Sequence, residues 1–236
     1  MKITRKMAIF IKNLFDDFLP PIIRDSKSVT NLMSWILFRK NHYIFDNFKE
    51  ESLCGDILKF KETYEYIYKN KIVVQRETDL NQKCINEILK ETKGENILEV
   101  GCGFGYLAKR LSERKFLVTA CDIAIDEKIL RQNPEIKFIE AKMEELPFRN
   151  NSFDTVVTTH TLEHCIDLFK AITELRRVAA KRIIIVVPKE RPYRFTPNLH
   201  LHFFPYMFSL LAVMGQHKSS LCKELDGDLF YLEDIE

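Results

Sequence analysis

Residues 99–105 read E-V-G-C-G-F-G, between a strand-like run, Asn96–Val100, and a helix-like run, Tyr106–Arg114. Gly101, Gly103 and Gly105 leave the backbone of this loop bare, so a ligand can approach it closely. Such a loop belongs at the carboxyl end of a strand in an open parallel sheet. The chain downstream supports that placement, because strand and helix character alternate. Strand Phe116–Ala120 runs on to Asp122, and a short helix follows over about 126–131. Strands Lys137–Glu140 and Thr155–Thr158, helix Asp167–Val178 and strand Arg182–Val187 come next. Ile183 to Val187 are five consecutive β-branched residues, a pattern that fits a parallel strand buried on both faces. Near the end, Asp226–Gly227 joins 217–225 to 228–232 and predicts a tight hairpin. The reading is an α/β body over residues 80–236, preceded by an N-terminal helical arm or lid over residues 1–79.

Charge and cysteine usage narrow the function classes. Lys and Arg number 36 against 34 Asp and Glu, a balance that gives no electrostatic case for a DNA-binding protein. The six cysteines, Cys54, Cys84, Cys102, Cys121, Cys165 and Cys222, are dispersed without a CxxC pair. They read as free thiols of a cytoplasmic protein with no metal centre. The apolar runs are too short for a transmembrane helix, which needs about 20 residues. Ile3, Met7, Phe10, Ile11, Leu14, Phe15 and Phe18 recur at helical spacing and predict an amphipathic first helix. Its apolar face suits the protein's own core, a second subunit in self-association, or peripheral contact with a membrane.

The residues around the glycine loop indicate its ligand class. Asp122 closes the second strand, where a carboxylate lies beside the loop and suits the two hydroxyls of a ribose. A dinucleotide loop of the form GxGxxG would need glycine where Tyr106 stands. Glu99, just before the loop, would repel a pyrophosphate but suits a ligand carrying an ammonium and a sulfonium. No GxxxxGK[ST] phosphate loop occurs.

Together, E-V-G-C-G-F-G (99–105), V-T-A-C-D-I (118–123), M-E-E-L-P-F (143–148), N-S-F-D-T-V-V (151–157) and H-T-L-E-H (160–164) resemble a class I S-adenosylmethionine-dependent methyltransferase. The nearest kind is the type 11 methyltransferase domain, and the resemblance spans about residues 80–190. It implies a Rossmann-like seven-stranded sheet, mostly parallel with one antiparallel strand, helices on both faces and S-adenosyl-L-methionine as cofactor. Glu99 and Gly101, Gly103 and Gly105 would hold the methionine end. Asp122 would take the ribose hydroxyls and Ile123 would pack on the adenine. The acidic residue that often binds the adenine amino group in such families is here Lys142, so adenine recognition falls to the backbone around Met143. Thr158 and Thr159 would turn carbonyls toward the cofactor ammonium, and Arg76 would reach its carboxylate.

The implied reaction is in-line methyl transfer to a small-molecule, lipid-like or sugar-like acceptor. The competing readings are a non-catalytic scaffold that keeps the fold, and a protein or RNA methyltransferase. Thr158-Thr159-His160-Thr161 lacks the (Asn/Asp)-Pro-Pro-aromatic run expected of a DNA amino-methyltransferase. His160, His200 and His202 are the candidate general bases, since imidazole titrates near neutrality. His160 ranks slightly ahead, because it follows the fourth strand. His200 and His202, if extended, would point the same way. His160, Glu163 and His164 also spell the HxxEH of some zinc proteases, which would require a helix. Arg191, Tyr193 and Arg194 are candidates to clamp an anionic substrate.

Overall fold

Ile183, Ile185 and Val187 enter one apolar core and Ile184 and Val186 another, and all five are fully buried. Each such side chain contributes about 1.5–3 kcal/mol on leaving water, which is why this strand occupies the middle of a sheet. A computed structural model describes residues 18–46, 48–54, 57–70, 77–192, 199–215 and 217–235. The chain divides into a smaller unit, residues 1–75 with 191–201, and a larger one, residues 76–190 with 202–236.

The larger unit is a seven-stranded sheet. Its strands are β1 (Asn96–Val100), β2 (Leu117–Asp122), β3 (Lys137–Glu140), β4 (Phe153–Thr159), β5 (Ala179–Pro188), β6 (Ser220–Leu225) and β7 (Asp228–Asp234), in the order β3-β2-β1-β4-β5-β7-β6. The first five run parallel, and β7 lies antiparallel to both β5 and β6. The β6–β7 hairpin turns through Asp226 and Gly227 at φ 49° and 87°, as the Asp-Gly pair predicts. One face of the sheet packs under Leu168, Ile172 and Leu175. The other packs under Cys84, Ile88, Leu107 and Leu111.

The strand order positions the site. From β1 the chain moves outward to β2 and β3, then returns to the other side of β1 for β4 and β5. Val100 pairs with Thr158 across β1 and β4, so the loops leaving these strands part at the point where the winding reverses. A crevice at the carboxyl ends follows from that geometry.

The regular elements of the smaller unit, among the described residues, are helices. It contains α1 (Pro21–Arg24), α2 (Lys27–Phe38), α3 (His42–Asp46), α4 (Phe48–Cys54) and α5 (Ile57–Lys69). Aromatic rings form its interior: Phe38 stacks on Phe45 at 3.7 Å between centroids, and Phe60 meets Tyr64 at 4.8 Å. The predicted amphipathic helix falls mostly on residues outside the described set, as do Arg76, Tyr193 and Arg194. No helix among the described residues is long and apolar enough to cross a membrane.

Candidate active site

Five α-helices complete the described part of the larger unit: α6 (Gln82–Glu91), α7 (Tyr106–Ser112), α8 (Glu127–Gln132), α9 (Leu168–Val178) and α10 (Met207–Met214). The glycine loop links β1 to α7. The amides of Gly101 and Cys102 both donate to the Cys121 carbonyl of β2, at 2.7 and 3.0 Å. The Gly105 amide closes a turn onto the Cys102 carbonyl at 2.8 Å. Gly101 and Gly103 have φ of 76° and 51°, the left-handed region where a Cβ is costly. A Cβ at Gly101 would fall inside the Thr161 side chain. At Gly103 it would meet no atom of the described residues within 4 Å apart from its chain neighbours, so this glycine borders open space.

Asp122 holds the loop from the side. Its Oδ2 accepts from the Gly103 amide at 2.8 Å and its Oδ1 from the Ile123 amide at 2.7 Å. A carboxylate offers about four acceptor positions, so both oxygens keep capacity for further donors. Burial pushes the Asp122 pKa up against the pull of the Gly103, Ile123 and Ala124 amides, and Glu140 adds to the rise. Glu99 is more deeply enclosed, and its Oε2 is buried without a hydrogen-bond partner. Burial carries its pKa well above the usual carboxylate range; the Ala108 amide in α7 opposes the shift and the Asp122 charge reinforces it. Two carboxyls with raised pKa values beside bare backbone suit a ligand with hydroxyls and positive charge. The chemistry of the S-adenosylmethionine cofactor fits this donor and acceptor set.

At the end of β4, Thr158 and Thr159 are buried, and His160 adopts φ 51° while its amide donates to the Val186 carbonyl at 2.8 Å. A left-handed conformation costs a non-glycine residue roughly 1–3 kcal/mol, and surrounding contacts have to over-determine it. The ring supplies them: Nδ1 lies 3.7 Å from Glu163 Oε1, and Nε2 lies 3.5 Å from Asp228 Oδ2. Burial disfavours the charged ring, yet Asp228, Glu163 and Asp79 outweigh it and raise its pKa.

His202 has the opposite setting. Its amide donates to the Glu163 carbonyl at 3.0 Å, and its Nε2 stands 2.9 Å from the Cys165 carbonyl. A carbonyl only accepts, so Nε2 carries the proton and the lone pair is left on Nδ1. Burial lowers its pKa against the Cys165 hydrogen bond and the Glu144 charge.

The structure corrects the expectation of an extended 199–203 segment. Leu199 sits at φ 60° and the segment forms no strand, so alternation does not align His200 with His202. His200 is a buried residue of the smaller unit, and Arg191 in the same unit is exposed. His160 is outside any helix, and Leu162–His164 is a single 3₁₀ turn, so the HxxEH spacing lacks the α-helical geometry a zinc pair requires. Met143 is buried in the core that also holds Val100 and Cys121.

Several residues that shape the site went unrecognised in the sequence. The Thr161 hydroxyl lies 3.3 Å from the Gly101 carbonyl and 3.0 Å from the Thr159 carbonyl, tying the glycine loop to β4. Asn81 caps α6 through the Cys84 amide and donates to Asp228 Oδ2 at 2.8 Å. A threonine beside the histidine motif and an Asn-Gln helix start were legible; their partners, far away in sequence, were not.

Comparison with known proteins agrees with this geometry. Residues 98–187 match the family described as "Methyltransferase domain". An uncharacterized protein of Methanocaldococcus jannaschii is 32% identical over 171 residues, covering 72% of this chain and 64% of that protein. A demethylmenaquinone methyltransferase of Renibacterium salmoninarum is 24% identical over 66% of each chain. The chain thus spans less than two thirds of the length of either relative. The fold resembles a Burkholderia thailandensis 1,6-didemethyltoxoflavin-N1-methyltransferase solved with that substrate and S-adenosylhomocysteine. The TM-score is 0.60 at 16% identity, over 74% of this chain and 86% of that one. The larger unit is a class I S-adenosylmethionine-dependent methyltransferase domain.

Proposed function

We propose that the chain transfers a methyl group from S-adenosylmethionine to a small-molecule acceptor, lipid-like or sugar-like in character. The observation that carries this reading is the open space at Gly103 beside the carboxyls of Asp122 and Glu99. Relatives named for demethylmenaquinone and for 1,6-didemethyltoxoflavin support an acceptor of small size. Bound there, the cofactor supplies an already activated methyl donor. The protein's part is alignment, exclusion of water and removal of a proton.

In this reading Asp122 accepts from the ribose hydroxyls, Ile123 packs on the adenine and the backbone near Met143 borders it. Glu99, Gly101, Gly103 and Gly105 hold the methionine end, with the Thr158 and Thr159 carbonyls toward its ammonium. Arg76 serves the cofactor carboxylate, while Arg191, Tyr193 and Arg194 serve the acceptor. Among the histidines His202 is the better base, because burial keeps it neutral and its Nδ1 retains a lone pair. His160, drawn toward the charged state by Asp228 and Glu163, positions the turn after β4.

Calorimetric titration with S-adenosylmethionine and S-adenosylhomocysteine tests the cofactor half, with micromolar affinity expected. Mass spectrometry of metabolites from cells with and without the gene tests the other half, through species that differ by one methyl group. Failure to bind either sulfur compound would remove the reading.

A further inference from the structure

Helix α2 presents part of its apolar surface to water, while Val29, Met33 and Phe38 are half-buried. Among its described side chains Thr30 and Ser34 are the buried ones, 6% and 0% exposed, and their hydroxyls donate to the Lys27 and His42 carbonyls. Leu32, Trp35 and Ile36, at i, i+3 and i+4, are 57%, 50% and 52% exposed. A helix that packs only on its own protein turns such a stripe inward. Ile22 and Ile23 on α1, just upstream, are exposed as well.

The charges along α2 and the turn that follows it have one sign. Between Ser26 and Asn41 the chain carries Lys27, Arg39 and Lys40 and no acidic residue. All three are exposed, and the Arg39 guanidinium lies 5.2 Å over the Trp35 ring. The nearest carboxylate upstream, Asp25, is paired with Arg24 at 3.2 Å. A second copy docked on this face would set cations against cations with no acid to offset them. An anionic bilayer matches both features: an apolar interior for Leu32, Trp35 and Ile36, and negative headgroups for the flanking cations.

We infer that the outer face of α2 docks the protein on an anionic lipid surface. Trp35 lies at the centre of the stripe and, as the chain's single tryptophan, reports contact directly. The full chain is titrated with phosphatidylcholine vesicles, with and without phosphatidylglycerol, while Trp35 emission and co-sedimentation are followed. A blue shift and co-sedimentation are expected with the anionic vesicles and much less with the neutral ones. Leu32→Asp with Ile36→Asp keeps the reporter and should weaken partitioning at least about ten-fold. Lys27→Gln or Lys40→Gln should weaken it by roughly five-fold each, with a smaller salt dependence. Circular dichroism checks that these exposed substitutions leave the fold intact. Four results would overturn the inference: no response to either vesicle, equal binding to both, unchanged binding by the Leu32/Ile36 variant, or self-association that this variant abolishes.

Discussion

The Gly103 amide donates to the Asp122 carboxylate across 2.8 Å, joining the bare loop after β1 to the end of β2. A hydrogen bond to a charged group is worth about 1.5–3 kcal/mol, so this pair shapes the loop as well as offering acceptors to a ligand. Asp122→Asn keeps the volume and one carbonyl oxygen while removing the charge. It should weaken S-adenosylmethionine and S-adenosylhomocysteine binding by roughly 10–100-fold. Titration calorimetry measures both, and unchanged affinity would separate Asp122 from the ligand.

Two glycines of the same loop should respond differently. Gly101→Ala drives a methyl into Thr161 at φ 76°, so it should lower the melting temperature, by an amount equivalent to about 1–3 kcal/mol. Gly103→Val meets open space on the protein side, and its cost is chiefly the left-handed backbone. Its fold should persist while cofactor binding is lost, because the side chain occupies the space assigned to the ligand. Thermal melts and titration on the same samples check both statements.

Glu99 links cofactor binding to pH. Its folded-state pKa lies above the unfolded value because burial disfavours the charge. The stability it contributes is therefore present below the unfolded pKa and lost as pH rises through the folded one. A positively charged ligand favours the carboxylate, so binding should expel protons and affinity should rise with pH. Calorimetry in buffers of different ionisation enthalpy measures the proton release. Glu99→Gln should abolish the buffer dependence attributable to this group, and an unaltered dependence would place the proton elsewhere.

The histidines separate by protonation state. His202→Gln should cut turnover by roughly 10²–10⁴-fold and leave cofactor affinity unchanged. The acid limb it removes should lie below the ordinary value of 6.5, since burial lowers the His202 pKa. His160 has its folded pKa raised, so its contribution to stability holds below the unfolded pKa and fades as pH rises through the folded one. His160→Gln should therefore lower the melting temperature more at acid than at alkaline pH. Any titration of His160 should lie above the ordinary value of 6.5, because the Asp228 and Glu163 carboxyls outweigh its burial. Rate profiles and melts on the two variants distinguish these roles.

Local features of the chain determined much of this architecture. Glycines at 101, 103 and 105, the β-branched run 183–187 and the Asp226–Gly227 pair each act within a few residues, through backbone freedom, side-chain period and turn chemistry. The strands and the hairpin follow from them, as does the carboxylate at the end of β2. Tertiary structure alone decided what surrounds those features. Asp228 reaches His160 because β7 inserts between β5 and β6, a pairing across 68 positions that no local pattern encodes. Thr161 limits Gly101 because β1 and β4 are neighbours in the sheet. The electrostatic state of Glu99, His160 and His202 depends on burial and on charges brought from distant strands, so identical residue types acquire opposite shifts. Helix α2 shows the same limit: its apolar residues were legible, but only the packed unit decided that Thr30 and Ser34 turn inward and Trp35 faces out.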